Sequence, residues 1–127
     1  MRPGSRASGR ASGRRSRRPD ERQILFIRPR ADAEFDEALD RYLLEAGPGI
    51  AQRFLDAVED AHALIADAPS IGAPDLGRQM AMDGLRVWKV AGFPYQVLYL
   101  DGDAGVEIVR FLHGHRDVPN ALMDDVD

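Results

Sequence analysis

Four neighbouring residues near the carboxyl end carry the side chains best suited to chemistry: His113, His115, Arg116 and Asp117. Imidazole titrates near neutral pH, so either histidine could serve as a general acid or base. The two histidines are two positions apart and would project to one side of an extended strand, where Asp117 could complete a metal site. No helical His-Glu-x-x-His pattern supports that site, so the sequence favours neither a metal nor a cofactor.

Four cations lie on or beside the strands that deliver this cluster: Arg86, Lys89, Arg110 and Arg116. Arg86 and Lys89 are three positions apart in one strand, so they point to opposite faces and cannot form a single pocket by themselves. Arg116 can pair locally with Asp117, and such exposed pairs contribute little. Separate structural roles and a shared binding surface both remain open for the carboxyl-terminal group.

The elements that position these residues are predicted to be four strands. A short apolar run, Ile24–Ile27, opens the domain, and three β-rich runs, Leu85–Val90, Tyr95–Leu100 and Val106–Leu112, close it. The middle run is apolar on both faces, which is typical of a central strand. Residues 101–105, with two glycines and two aspartates, predict a five-residue hairpin loop.

Two helices are predicted between the first strand and the other three. Phe35, Leu39, Tyr42 and Leu43 recur at helical spacing, and the segment Gly47-Pro48-Gly49 suits a helix end followed by a helix start. The second helix carries a longer apolar stripe: Ile50, Phe54, Ala57, Val58, Ala61, Leu64, Ile65 and Ala68. The predicted fold is α+β in the order β-α-α-β-β-β, with a helical hairpin packed on a mainly antiparallel four-stranded sheet.

Composition divides the 127 residues into an Arg-rich tail, 1–22, one folded domain, 23–122, and an acidic end, 123–127. The tail has eight arginines and two acids, whereas the rest has nine basic and nineteen acidic residues. We expect the tail to be disordered, since it lacks large aliphatic residues after Met1. No stretch suits a membrane span or a secretory signal, and the lack of cysteine fits a cytoplasmic protein. An acidic domain disfavours nucleic-acid binding.

Four segments together resemble the RelE/ParE superfamily of toxins from type II toxin–antitoxin, or plasmid-stabilisation, modules of bacteria. They are RFLDAVEDAHALIADAPSIG, LRVWKV, FPYQVLY and GVEIVRFLHGHRD, and the resemblance covers Ile24–Leu122. In the RelE-like branch, cations on the sheet serve the cleavage of messenger RNA on the ribosome. Lys89 matches one of them, but Val87 and Gln96 stand where that branch has a lysine and an arginine. An enzyme is therefore disfavoured, since neither residue can stabilise phosphate charge.

The ending VEIVRFLHGHRD is closer to the ParE-like branch, which implies a protein that inhibits DNA gyrase by binding it and is silenced by a cognate antitoxin in a hetero-oligomer. The resemblance then implies a target-binding cluster of Arg110, His113, His115 and Arg116, with Arg86 and Lys89 as secondary candidates. It also implies an apolar antitoxin groove on the helical hairpin, formed by Phe35, Leu39, Tyr42 and Phe54. Two alternatives remain: a ribosome-dependent mRNA endonuclease that uses His113 or His115, and a non-toxic member that only binds antitoxin.

Overall fold

The computed structural model describes residues 24–114. The predicted tail 1–22, the acidic end 123–127, and His115 and Arg116 lie outside the described residues. Three helices, one 3₁₀ turn and four strands follow one another: β1 Leu25–Ile27, α1 Pro29–Ala46, α2 Pro48–Asp67, the 3₁₀ turn Pro69–Ile71, α3 Asp75–Gln79, β2 Leu85–Lys89, β3 Tyr95–Gly102 and β4 Gly105–His113. No described helix has the length and apolar character needed to cross a membrane.

The sheet has the strand order β1-β4-β3-β2. β4 pairs antiparallel with β3, β3 pairs antiparallel with β2, and β1 joins the outside of β4 in parallel. The parallel pair follows from topology, because the chain crosses over through the helices between β1 and the rest of the sheet. The predicted α+β fold, with its helical hairpin and mainly antiparallel sheet, is confirmed.

The β3–β4 hairpin is tighter than predicted. Gly102 pairs with Gly105, so only residues 103 and 104 lie outside the ladder, and the five-residue loop is wrong. Gly105 has φ +144°, and a Cβ there would lie 2.8 Å from the carbonyl oxygen of Ile24. Glycine thus lets β1 approach the start of β4 closely.

The helical hairpin turns at a single glycine, as predicted. Gly47, at φ +91°, ends α1 by donating its N–H to the carbonyl of Tyr42 at 3.0 Å, and Pro48 occupies the first position of α2. A positive φ at the helix end costs glycine little, and proline at a helix start loses no hydrogen bond. The two helices therefore pack side by side on one face of the sheet.

Both faces of the sheet are apolar. The face under the hairpin forms the larger core, with these buried residues: Ala31, Ala38, Phe54, Val58, Ile65, Val90, Tyr95, Val97, Tyr99, Val106, Ile108 and Phe111. On the opposite face, Leu85, Leu98, Val109 and Leu112 are buried, and Leu76, Met80 and Met82 pack against them. The latter three lie in or just after α3, a five-residue helix that the sequence pattern does not predict.

A β-bulge in β4 sets which side chains face the helices. Leu98 pairs with Arg110 and Tyr99 with Ile108, so Val109 is an extra residue in β4. In a regular strand Ile108 and Phe111, three positions apart, would point to opposite faces. The bulge places both in the core under the hairpin.

Candidate functional site

Two of the predicted target-binding residues, Lys89 and His113, lie at one rim of the sheet, where β2 ends, β3 begins and β4 ends. Lys89 pairs with Gln96, and the neighbouring Tyr95 pairs with His113. Lys89 is exposed, whereas His113 is half-buried, with its ring edge-to-face against Tyr95 at 5.2 Å between centroids. Lys89 and His113 thus lie at the same end of the sheet, on strands separated by β3. They project from opposite faces, because their partners Gln96 and Tyr95 are consecutive residues of β3.

Arg110 does not belong to that surface. Its side chain is 0% exposed, and its Nη2 lies 2.6 Å from Oε2 of Glu34 in α1. Its Nε donates to both carboxylate oxygens of Glu34 at 3.1 Å. Burial of a guanidinium is costly without such a partner, so the pair ties α1 to β4. The prediction that Arg110 faces a target is therefore replaced by a structural role.

Glu34 also completes the edge of β4 where β1 stops. Its Oε1 accepts a hydrogen bond from the backbone N–H of Phe111 at 2.9 Å. β1 pairs with β4 only as far as Ile108, and Arg28 donates its N–H to the carbonyl of Ile108 at 3.0 Å. A carboxylate on α1 therefore satisfies a strand donor that lies beyond the last pairing to β1.

Arg86 is likewise engaged within the fold. Its Nη1 donates to the carbonyl oxygens of Ser70 and Gly72 at 3.2 and 2.8 Å. The hydroxyl of Tyr99 accepts from the N–H of Gly72 at 2.8 Å and donates to the carbonyl of Pro69 at 2.7 Å. Burial raises the pKa of Tyr99, which keeps this hydroxyl neutral. These contacts hold the segment after α2 against β2.

The predicted antitoxin-binding residues lie mainly between the hairpin and the sheet. Phe54 is 0% exposed, and its ring contacts those of Phe35, Tyr42, Tyr95 and others at 4.8–5.9 Å between centroids. Phe35, Leu39 and Tyr42 are half-buried against the same core. The predicted groove is thus largely core, and a partner cannot reach Phe54. Helical spacing alone cannot distinguish a stripe that faces the sheet from one that faces a partner.

Exposed large apolar side chains lie at β1 and, on the hairpin, at Leu43, Leu44 and Leu64. Ile24, Phe26 and Ile27 are 62%, 57% and 44% exposed. Beside Ile27 a cleft of about 190 Å³ opens between β1 and the helices, and the residues lining it are Ile27, Ala31, Asp32, Phe35, Leu55, Val58, Glu59, His62, Ile108 and Phe111. The sequence pattern predicts this strand but not its exposure, since a short apolar run is equally typical of a buried strand.

His62 is the least exposed titratable residue in the lining of this cleft. Burial lowers the pKa of His62 below its ordinary value of 6.5, because the uncharged ring is easier to desolvate. The described residues contain no group of three His, Cys, Asp or Glu side chains placed to hold a metal ion. An apolar cleft with a neutral imidazole suits the side chain of a binding partner.

Charge is unevenly distributed over the fold. The helical hairpin exposes nine carboxylates against three arginines: Asp32, Asp36, Glu37, Asp40, Glu45, Asp56, Glu59, Asp60 and Asp67 against Arg30, Arg41 and Arg53. A surface with this excess of negative charge attracts basic partners and repels polyanions such as RNA.

Comparisons with known proteins agree with this architecture. A family model described as "ParE toxin of type II toxin-antitoxin system, parDE" matches residues 25–118. A solved structure, "Chromosomal ParDE TA system from P. aeruginosa", contains a chain of similar fold, with a TM-score of 0.60, 17% identity, and coverage of 72% of this chain and 95% of that one. No curated protein matches significantly. The ParE-like branch inferred from sequence is thus confirmed, and this chain belongs to the ParE toxin family of type II toxin–antitoxin systems.

Proposed function

We propose that this chain acts in the cytoplasm as a toxin that inhibits DNA gyrase by binding it, and that a cognate antitoxin neutralises it in a hetero-oligomer. The observation that carries the proposal is that two of the three cations on the described sheet make contacts within the fold. Arg110 is buried on Glu34, and Arg86 holds two loop carbonyls, so both serve the fold. Among the described sheet residues, Lys89 is the exposed cation.

Cleavage of a phosphodiester needs positive groups aimed at the charge that develops on phosphate. Val87 packs in the core opposite the helices, and Gln96 is uncharged, so neither supplies such a group. The exposed acids of the hairpin add a repulsive field toward RNA. Inhibition by binding requires none of these catalytic cations, which favours it over the endonuclease alternative.

The proposed target-binding surface is the rim that holds Lys89 and His113, extended by His115 and Arg116. The two described members of this set lie at the same end of the sheet but project from opposite faces, so the proposed surface wraps over that end of the sheet. The antitoxin is proposed from the family itself, whose description is of a toxin within a toxin–antitoxin system. Its role here is to cover toxin surface and prevent access to the target.

A supercoiling assay with purified DNA gyrase and the full-length chain tests the target. We expect inhibition, and we expect Lys89→Glu to raise the concentration required by about fivefold, because it reverses a charge at the proposed surface. The matched control is Arg53→Glu on α2, which makes the same charge change outside the rim and should leave inhibition unchanged.

Transcript analysis after induced expression separates the alternatives. Filamentation with a DNA-damage response and intact transcripts supports gyrase inhibition. Cleaved ribosome-bound transcripts, lost in His113→Ala, would replace the proposal with the endonuclease. Normal growth combined with stable co-purification of the protein encoded by the adjacent open reading frame would identify a non-toxic, antitoxin-binding member.

A further inference from the structure

The outer edge of β1 exposes backbone groups that can pair with another strand. The carbonyl of Ile24 accepts from the N–H of Val106 at 2.9 Å, and the N–H of Arg28 donates to Ile108. Alternate residues of a parallel strand turn their backbone groups to opposite sides, so those of Leu25 and Ile27 face away from β4. β1 is the terminal strand of the described sheet.

The side chains on this edge are apolar. Edge strands are commonly protected by charged residues, proline or a covering loop, which prevent pairing with other chains. Here Ile24, Phe26 and Ile27 are all exposed, and Ile27 leads directly into the cleft lined by Phe35, Val58 and other apolar residues. An added strand would therefore gain both backbone hydrogen bonds and a socket for an apolar side chain.

The charges at this cleft select among the possible occupants. Asp32 and Glu59 are exposed residues of its lining. A second copy of the chain would bring an equally acidic hairpin toward them and be repelled. The chain's own residues 1–22 contain no large aliphatic or aromatic residue after Met1, so they cannot fill an apolar socket. Its residues 115–127 carry four aspartates against one arginine, so the acids at the cleft would repel them. The occupant that fits is a foreign segment with apolar and basic residues.

We propose that an extended segment of the antitoxin adds to the outer edge of β1, inserts an apolar side chain into the cleft beside Ile27, and places a basic residue against Asp32 and Glu59. The inference rests on the proposed function for the identity of the partner. The antitoxin then contacts the outer edge of β1 and not the aromatic residues of the helical hairpin. The segment pairs with Leu25 and Ile27 through their outward N–H and C=O groups.

The test uses the full-length chain and, as the probe, the purified protein encoded by the adjacent open reading frame. We expect Ile27→Glu to weaken the complex by about 10-fold to 100-fold, because an apolar side chain that the partner would cover becomes a charge. Leu44→Glu is the matched control, since Leu44 is 87% exposed at the far end of α1. Asp32→Lys should weaken binding about two- to fivefold, and Asp60→Lys, outside the cleft lining, by less.

Hydrogen exchange gives the second readout. In the complex, the amides of Leu25 and Ile27 should become protected, as expected for strand addition. Wild-type affinity of Ile27→Glu, or protection confined to the hairpin, overturns the inference while leaving the antitoxin role intact. Absence of any complex with the wild-type chain contradicts the antitoxin role as well.

Two further outcomes would assign the edge to another occupant. A dimer of the isolated chain that Ile27→Glu makes monomeric would identify a second copy on β1. Slow exchange at Leu25 and Ile27 in the isolated chain, lost after deletion of residues 1–22, would identify the chain's own tail. Either result overturns the proposal.

Discussion

The two edge strands of the sheet, β2 and β1, differ in whether a loop covers them. On the β2 edge, Ala73 exchanges hydrogen bonds with Val87 at 2.9 and 3.1 Å, and Arg86 and Tyr99 fasten the surrounding loop. On the β1 edge, the described chain supplies no such cover, and the side chains there are exposed and apolar. The loop prevents β2 from pairing with another chain, whereas β1 is available for such pairing.

The contrast also shows where the polar groups are used. At the covered edge, a tyrosine hydroxyl and a guanidinium satisfy loop backbone atoms. On the β1 side, Glu34 lies beyond the end of β1 and satisfies β4 and Arg110, and Arg28 pairs with Glu107 of β4 at 2.6 Å. Stability therefore depends on long-range polar contacts at both sides, while the outer edge of β1 itself stays uncovered in the described chain.

The largest expected effect comes from breaking the polar tie beside β1. Glu34→Ala should destabilise the fold by about 3–5 kcal/mol, because it leaves the buried guanidinium of Arg110 without its partner. Urea unfolding measures the change. Glu37→Ala, at an exposed position of the same helix, is the control and should change stability by less than about 0.5 kcal/mol. Equal effects of the two substitutions would show that the ion pair is dispensable.

A smaller loss of stability is expected at the β2 edge. Tyr99→Phe should cost about 1–3 kcal/mol, since the N–H of Gly72 and the carbonyl of Pro69 lose a buried partner. The same unfolding measurement applies, together with faster hydrogen exchange at Gly72. Tyr42→Phe removes a hydroxyl from a half-buried ring and serves as the control. A neutral Tyr99→Phe would mean that the loop is held by other contacts.

Amide exchange in the unmodified chain compares the two edges directly. The N–H of Val87 is bonded to Ala73, whereas that of Ile27 points outward from β1. We expect Val87 to exchange at least about tenfold more slowly, equivalent to about 1.4 kcal/mol of local opening free energy. Similar rates at the two positions would remove the distinction between a covered and an open edge.

The smallest expected effect is a change of folding stability with pH, caused by His62 in the cleft. Because the folded-state pKa of His62 is lowered by burial, the unfolded chain binds a proton more readily, and stability should fall as pH decreases below about 6.5. NMR titration of His62 and unfolding across about pH 5 to 8 check the direction. In His62→Leu the slope should diminish over this range; an unchanged slope would assign it to other groups.

Much of the fold could be predicted from local patterns. Gly47 followed by Pro48 gave the hairpin turn, and alternating or continuous apolar runs gave the four strands. α3 was missed because Asp75–Gln79 is too short to show a helical period. The hairpin loop was predicted too long, since the pairing of Gly102 with Gly105 depends on a backbone geometry that residue types alone do not specify.

The site was harder to predict because its assignments depend on contacts distant in sequence. Arg110 and Glu34 are 76 residues apart, so nothing near Arg110 indicates that its charge is buried. The aromatic stripe of α1 and α2 was correctly read as apolar, yet the sequence could not show that Phe54 faces the sheet. His113 and Lys89 are placed at one rim by strand pairing. Their role in target binding stays a prediction.

The bulge at Val109 limits which insertions and deletions this chain can accommodate. Deleting Val109 would restore simple alternation with Ile108 still opposite Tyr99 and Phe111 still opposite Val97, so the side chains beneath the hairpin would keep their partners. The loss would fall on the other face of the sheet, where Val109 is buried beside Leu98 and Leu112. A single-codon loss there would therefore leave a gap in the smaller core without disturbing the larger one.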